Sequence, residues 1–119
     1  MQRGRSLQRL QVIADTKSDL ALARLAEVNR QISTLESEKQ ELERRFSDIS
    51  RSAMTALEVQ ALGKYRDWMR IRCANLESET ARLQENAAQL KEQARLDFGK
   101  SQAIKKLRAQ SRNRSSSVA

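Results

Sequence analysis

The sequence predicts an all-α fold, a long antiparallel two-helix coiled-coil hairpin. Three observations carry this: a proline-free helix-forming composition, two runs of apolar residues spaced 3.5 apart on average, and a helix-start signal between them. Ala, Leu, Glu, Gln, Lys and Arg dominate, proline is absent and glycine occurs three times. These residues lose least on entering a helix. The 119 residues are 39% hydrophobic and 32% charged, with one Trp, one Tyr and two Phe, which is too lean for a thick globular core. A single domain spanning residues 1–119 is expected, with strand-rich folds disfavoured.

The first helix, about residues 5–52, rests on positions alternately four and three apart: Leu7, Gln11, Ala14, Ser18, Ala21, Leu25, Val28, Ile32, Leu35, Lys39, Leu42, Phe46, Ile49 and Ala53. Eleven of these fourteen are apolar, the exceptions being Gln11, Ser18 and Lys39. Such spacing marks the seam of a left-handed coiled coil rather than the broader face of a globular helix. The first turns are looser, since Leu10, Ile13 and Leu20 lie off the seam.

A turn is expected at about residues 53–55. Thr55-Ala-Leu-Glu58 has capping-box spacing, so Thr55 should cap the second helix. Met54 and Val59 are placed to form a hydrophobic staple across that cap.

The second helix, about residues 56–110, carries a seam through Leu62, Tyr65, Met69, Cys73, Leu76, Thr80, Leu83, Ala87, Leu90 and Ala94. Beyond it Phe98, Ile104 and Leu107 fit a shifted phase, and Gly99 at the slip suggests a bend, a close approach or a plain surface glycine. Ser111 and Ser115 to Ser117 predict a disordered, basic, Ser-rich tail over about residues 111–119. A loop centred near Met54 pairs residues whose numbers add to about 108: Phe46 with Leu62, Leu35 with Cys73, Ile32 with Leu76, Ala14 with Ala94. Lys39 then faces Met69, its stem packed and its ammonium reaching out. At 1.5 Å per residue the expected rod is about 70 to 80 Å long.

The net charge of +8 is unevenly placed. Arg3, Arg5 and Arg9 give residues 1–13 a charge of +3. Residues 95–119, with seven cations against Asp97, carry +6, and thirteen cations against fourteen acids leave the middle at −1. A hairpin gathers both termini, so the cations Arg3, Arg5, Arg9, Lys100, Lys105, Lys106 and Arg108 should form a basic pole suited to phosphates, an acidic protein surface or anionic lipid, or else serving only as a soluble tail. Just after the turn, Lys64-Tyr-Arg-Asp-Trp-Met-Arg70 places Tyr65 on the seam and Trp68 beside it, where two helices bury an indole poorly. Tyr65, Arg66, Trp68 and Arg72 are therefore a second candidate partner-binding group.

Catalysis and cofactor chemistry find no support. There is no His and a single Cys73, so neither a His/Cys metal cluster nor a Cys-His nucleophile can be assembled, and Cys73 is expected to be a small core residue. No Gly-rich phosphate loop or paired-carboxylate site occurs. A small-molecule substrate and a cofactor are not expected. Nucleic acid is not the expected partner either, because no zinc finger, RNA-binding sheet motif or basic-zipper layout accompanies the charge. The first apolar stretch, Leu10 to Ala14, is too short for a leader or a membrane span, so a cytoplasmic protein without membrane insertion is expected.

The basic N-terminus, the single hairpin, Tyr65-Arg-x-x-Trp68 after the turn and the closing Ala103-Ile-Lys-Lys-Leu107 together resemble the FliJ-type flagellar export proteins and their YscO-class type III secretion counterparts. The resemblance spans most of the chain. It implies a non-enzymatic cytoplasmic stalk whose paired termini engage a hexameric export ATPase and whose rod reaches toward the export gate. Export chaperones are implied as further partners, and the inner face of the membrane as a location reached through those partners. Tyr65 and Trp68 match the gate-facing aromatics, whereas Arg72 and Asn75 stand where that family tends to carry apolar residues. Independently of any resemblance, a generic basic coiled coil binding nucleic acid or another protein fits the same charge pattern.

Overall fold

The computed structural model describes the backbone of residues 2–118 and the side chains of residues 3–114. The fold is all-α: helix α1 (Gln2–Ser52) and helix α2 (Ala56–Val118), joined by residues 53–55 into a two-helix hairpin. No glycine or proline follows Gly99, and serine costs a helix only a few tenths of a kcal/mol relative to alanine. Accordingly α2 continues through residues 111–118, where a tail was expected, and Ala119 lies outside the described residues.

The turn is built as its sequence dictates. Glu58 N–H donates to Thr55 Oγ1 at 3.1 Å, Val59 N–H donates to the Thr55 carbonyl at 2.9 Å, and Met54 N–H donates to Glu58 Oε2 at 2.9 Å. The first of these satisfies a donor that a helix start otherwise leaves open, the second is the first ordinary bond of α2, and the third ties the incoming chain to it. The expected staple does not form, because Met54 is 90% exposed. The Glu58 carboxylate, rather than an apolar contact, ties the incoming chain to the helix.

The chain divides into two compact units: unit 1 comprises Met1–Glu27 and Ala87–Ala119, and unit 2 comprises Val28–Asn86. In unit 2 the seam is apolar. Leu42, Cys73 and Leu76 form a buried cluster against which Leu35 and Met69 pack, and Leu76 is 1% exposed. Phe46 stacks on Tyr65 with ring centroids 6.3 Å apart and planes 8° from parallel. The pairing therefore lies three residues farther along α2 than the expected Phe46–Leu62 register. The capping box determines where α2 starts, but not which layer meets which; the large seam side chains select that. Lys39 behaves as expected of a seam lysine, its Nζ reaching Glu77 at 2.6 Å and Glu43 at 3.8 Å.

In unit 1 the seam turns to smaller and more polar residues without losing its spacing. Ala14, Ser18, Ala21 and Ala94 are buried, and so are Asp97 and Ser101, seven residues beyond Leu90 and Ala94 respectively. Ile104 and Arg108 follow at the next steps of three and four and are half-buried. The expected phase slip is thus absent: Phe98 and Leu107, taken to continue the seam, are 58% and 46% exposed. A hydrophobicity pattern follows apolar residues, and here they leave the seam while the helix keeps its rotation. At Gly99 a Cβ would meet nothing within 4 Å, so this glycine serves no close approach.

Candidate functional site

The units divide the charge completely. Unit 1 holds thirteen Lys and Arg against five Asp and Glu, which equals the whole net charge of +8, and unit 2 holds ten against ten. Two candidate interaction surfaces follow, one on each unit.

On unit 2 the surface is aromatic and aliphatic. Tyr65, half-buried on the seam, stacks on Phe46 and meets the Trp68 ring at a centroid distance of 5.7 Å and a 40° tilt. Trp68, one step off the seam, is 53% exposed. An indole packed on a tyrosine yet half open to solvent has the make-up of an aromatic anchor. Sequence reading missed two neighbours, the exposed Leu57 and Ile71. With Ala61 and Lys64 they line up beside Trp68 at steps of four, three, four and three, which keeps Leu57, Ala61, Lys64, Trp68 and Ile71 within one stripe of the helix. That off-seam spacing was the available signal.

The arginines expected to border this patch differ in their freedom. Arg66 stands beside Asp67 at 3.9 Å, with both side chains exposed. Arg72 is engaged across the hairpin, where its Nη2 and Nε donate to Glu38 Oε1 at 2.6 and 3.2 Å. It bridges the two helices and remains 42% exposed. The Cys73 thiol is buried, and its desolvation pushes its pKa above the ordinary thiol value, so it is poorly nucleophilic.

On unit 1 the surface is cationic. Arg3 and Arg114 line a hollow of about 220 Å³ with Leu7, Leu107, Gln110 and Ser111. Arg5 and Arg9 flank Val12 and Ile13 on α1. Lys100, Lys105 and Lys106 are exposed, and none of the three has an ion pair with a carboxylate among the described residues. Arg108 is different, because its Nη1 donates to Gln11 Oε1 at 2.6 Å and it is half-buried. The same polar seam includes the Ser101 hydroxyl donating to Asp15 and Gln93 Nε2 donating to the buried Asp97 at 3.1 Å.

Surface ion pairs elsewhere are local. The Arg44 and Arg45 guanidiniums hold the Glu41 carboxyl below its usual range, and Arg95 does the same to Glu92. Their i,i+3 and i,i+4 spacing is that of solvated helix faces, which contribute little individually. Among the described residues no group of three or more His, Cys, Asp or Glu is arranged to hold a metal ion, and no helix is long and apolar enough to cross a membrane. Comparison with family models, with curated proteins and with solved structures finds no match to this chain.

Proposed function

We propose that this chain is a non-enzymatic stalk or adaptor of a flagellar or type III secretion export apparatus. Its cationic terminal segments engage the acidic surface of a hexameric export ATPase, and its turn-proximal aromatic stripe engages an export-gate protein or an export chaperone. The observation that carries this reading is the charge partition: the whole +8 resides in the unit that contains both terminal segments, whereas the unit with the turn is neutral and displays Trp68, Ile71 and Leu57. Two chemically unlike surfaces suit two unlike partners, the first recruited by electrostatic attraction and the second by desolvation of an aromatic anchor. The resemblance to FliJ-type and YscO-class proteins supplies the identity of those partners.

The test uses Lys105→Glu/Lys106→Glu, which reverses two exposed cations and leaves the Arg108–Gln11 contact alone. Binding to, and stimulation of, a hexameric export ATPase from the same organism should be lost while helical content and melting temperature are unchanged. Undiminished ATPase binding by this variant overturns the assignment of the basic surface. Trp68→Ala should leave ATPase binding intact and lose the gate or chaperone contact. The competing reading, a general basic coiled coil bound to nucleic acid, predicts duplex binding that falls steeply with salt and is independent of the ATPase.

A further inference from the structure

Unit 1 contains a second heptad pattern, displaced from its seam. On α1, Leu10, Ile13, Lys17, Leu20 and Arg24 follow at steps of three and four, and Leu10, Ile13 and Leu20 are each about half exposed. On α2, Gln93, Leu96, Lys100, Ala103 and Leu107 repeat the same steps, with Leu96 and Leu107 nearly half exposed. Where the stripes run side by side they line one groove, with Lys17, Leu20 and Arg24 of α1 and Gln93 and Lys100 of α2 at its sides. The half-buried Leu90 and the buried Ala21 and Asp97 lie beneath as its floor, and the stripes extend past it through Ile13 and Leu107. Small Ala21 on that floor permits close approach of another backbone.

We propose that this groove of unit 1 is the docking site for a single acidic amphipathic helix of a partner protein. The helical character of the occupant follows from periodicity, since paired apolar stripes with 3.5-residue spacing are what a third coiled-coil helix packs against. Its acidity follows from the rim: Lys17, Arg24 and Lys100 interrupt the stripes, and none has an ion pair with a carboxylate among the described residues. On α1 the opposite flank lacks this design, because there Val12 and Leu22 are separated by Asp15 and Asp19. A second copy of the chain suits the groove poorly, for it would bring one +8 unit against another. Duplex nucleic acid would use the cations and leave the leucines idle. The inference goes beyond the export reading and stands whether or not the partner belongs to an export machine.

The full-length chain is titrated against two fluorescein-labelled heptad peptides with identical leucine positions, one carrying Glu and the other Lys at the flanking positions, and anisotropy is read. The Glu peptide should bind and the Lys peptide should not. Leu20→Glu and, separately, Lys17→Glu/Lys100→Glu should weaken the Glu peptide by on the order of ten-fold or more, with circular dichroism unchanged because all three positions are exposed. Trp68→Ala in unit 2 should have no effect. Equal affinity for both peptides, or indifference to Leu20→Glu, overturns the proposal. So does a free chain that sediments as a dimer and becomes monomeric with Leu20→Glu, since the occupant is then a second copy.

Discussion

The two units use the same spacing for opposite ends. In unit 2 the seam is filled by Leu35, Leu42, Met69, Cys73 and Leu76, and the helices are bridged by Glu38–Arg72 and Lys39–Glu77. In unit 1 the buried seam positions are alanine, serine and Asp97, with Leu7, Leu25, Leu90, Ile104 and Arg108 only half-buried, while Leu10, Ile13, Leu20, Leu96, Phe98 and Leu107 face outward. Both units also display apolar side chains, Leu57, Trp68 and Ile71 on the neutral unit 2 and Leu10, Ile13 and Leu20 on the cationic unit 1, but only unit 2 pairs that display with an apolar buried cluster. A surface that is both cationic and apolar over a lightly packed seam is suited to being completed by a partner. The neutral unit is better suited to keeping its shape.

The sharpest way to break this comparison is in the seam. Leu76→Ala removes the most buried side chain of unit 2 and should cost about 3 kcal/mol, read by urea unfolding. A loss below about 1 kcal/mol would mean that the cluster around Leu42 is not the stabilising centre. The converse change in unit 1, Asp97→Leu, should raise stability by about 1 kcal/mol, since a carboxylate 3% exposed with one amide donor gives way to a packed side chain. Destabilisation by Asp97→Leu would show that the polar seam of unit 1 is as well satisfied as the apolar seam of unit 2.

Smaller effects sharpen the picture at the turn and the bridges. Thr55→Ala should cost about 1 kcal/mol through loss of the cap. The Met54 N–H, followed by the Thr55 N–H and hydroxyl, holds the Glu58 carboxyl below its usual range. The folded state therefore binds this proton less readily than the unfolded chain. The contribution is present above the usual carboxylate value of about 4.3 and is lost as pH falls through the lower folded value. Thermal melts taken down that acid range should be flatter for Glu58→Gln than for the parent chain. Smallest of all, a double-mutant cycle on Glu38 and Arg72, whose side chains are 41% and 42% exposed, should give a coupling of about 0.2 to 1 kcal/mol.

Much of the hairpin was legible because heptad spacing is a property of the chain. Each seam residue from Leu7 to Phe46 is buried or half-buried, including the polar Gln11, Ser18 and Lys39. The cap at Thr55 was legible because its hydrogen bonds are local. Legibility failed where the deciding contact spans the hairpin. Arg72 looked like an exposed border of the aromatic patch until Glu38, 34 residues away, accounted for it. Arg108 looked like one more terminal cation, yet Gln11 holds it on the seam. Leu57 and Ile71 passed unnoticed because a stripe displays nothing until the other face of its helix is known to be occupied.

Composition, spacing and the order of charges determined the all-α class, the two helices and the concentration of positive charge near the termini, because each depends on residues close together along the chain. Only the tertiary structure decided the register, the persistence of the heptad phase through Asp97 and Ser101, and which apolar residues remain outside. Those outcomes depend on which large side chains meet across the hairpin. The Phe46–Tyr65 stack and the cluster around Leu76 choose one alignment from several that leave the seams equally in phase.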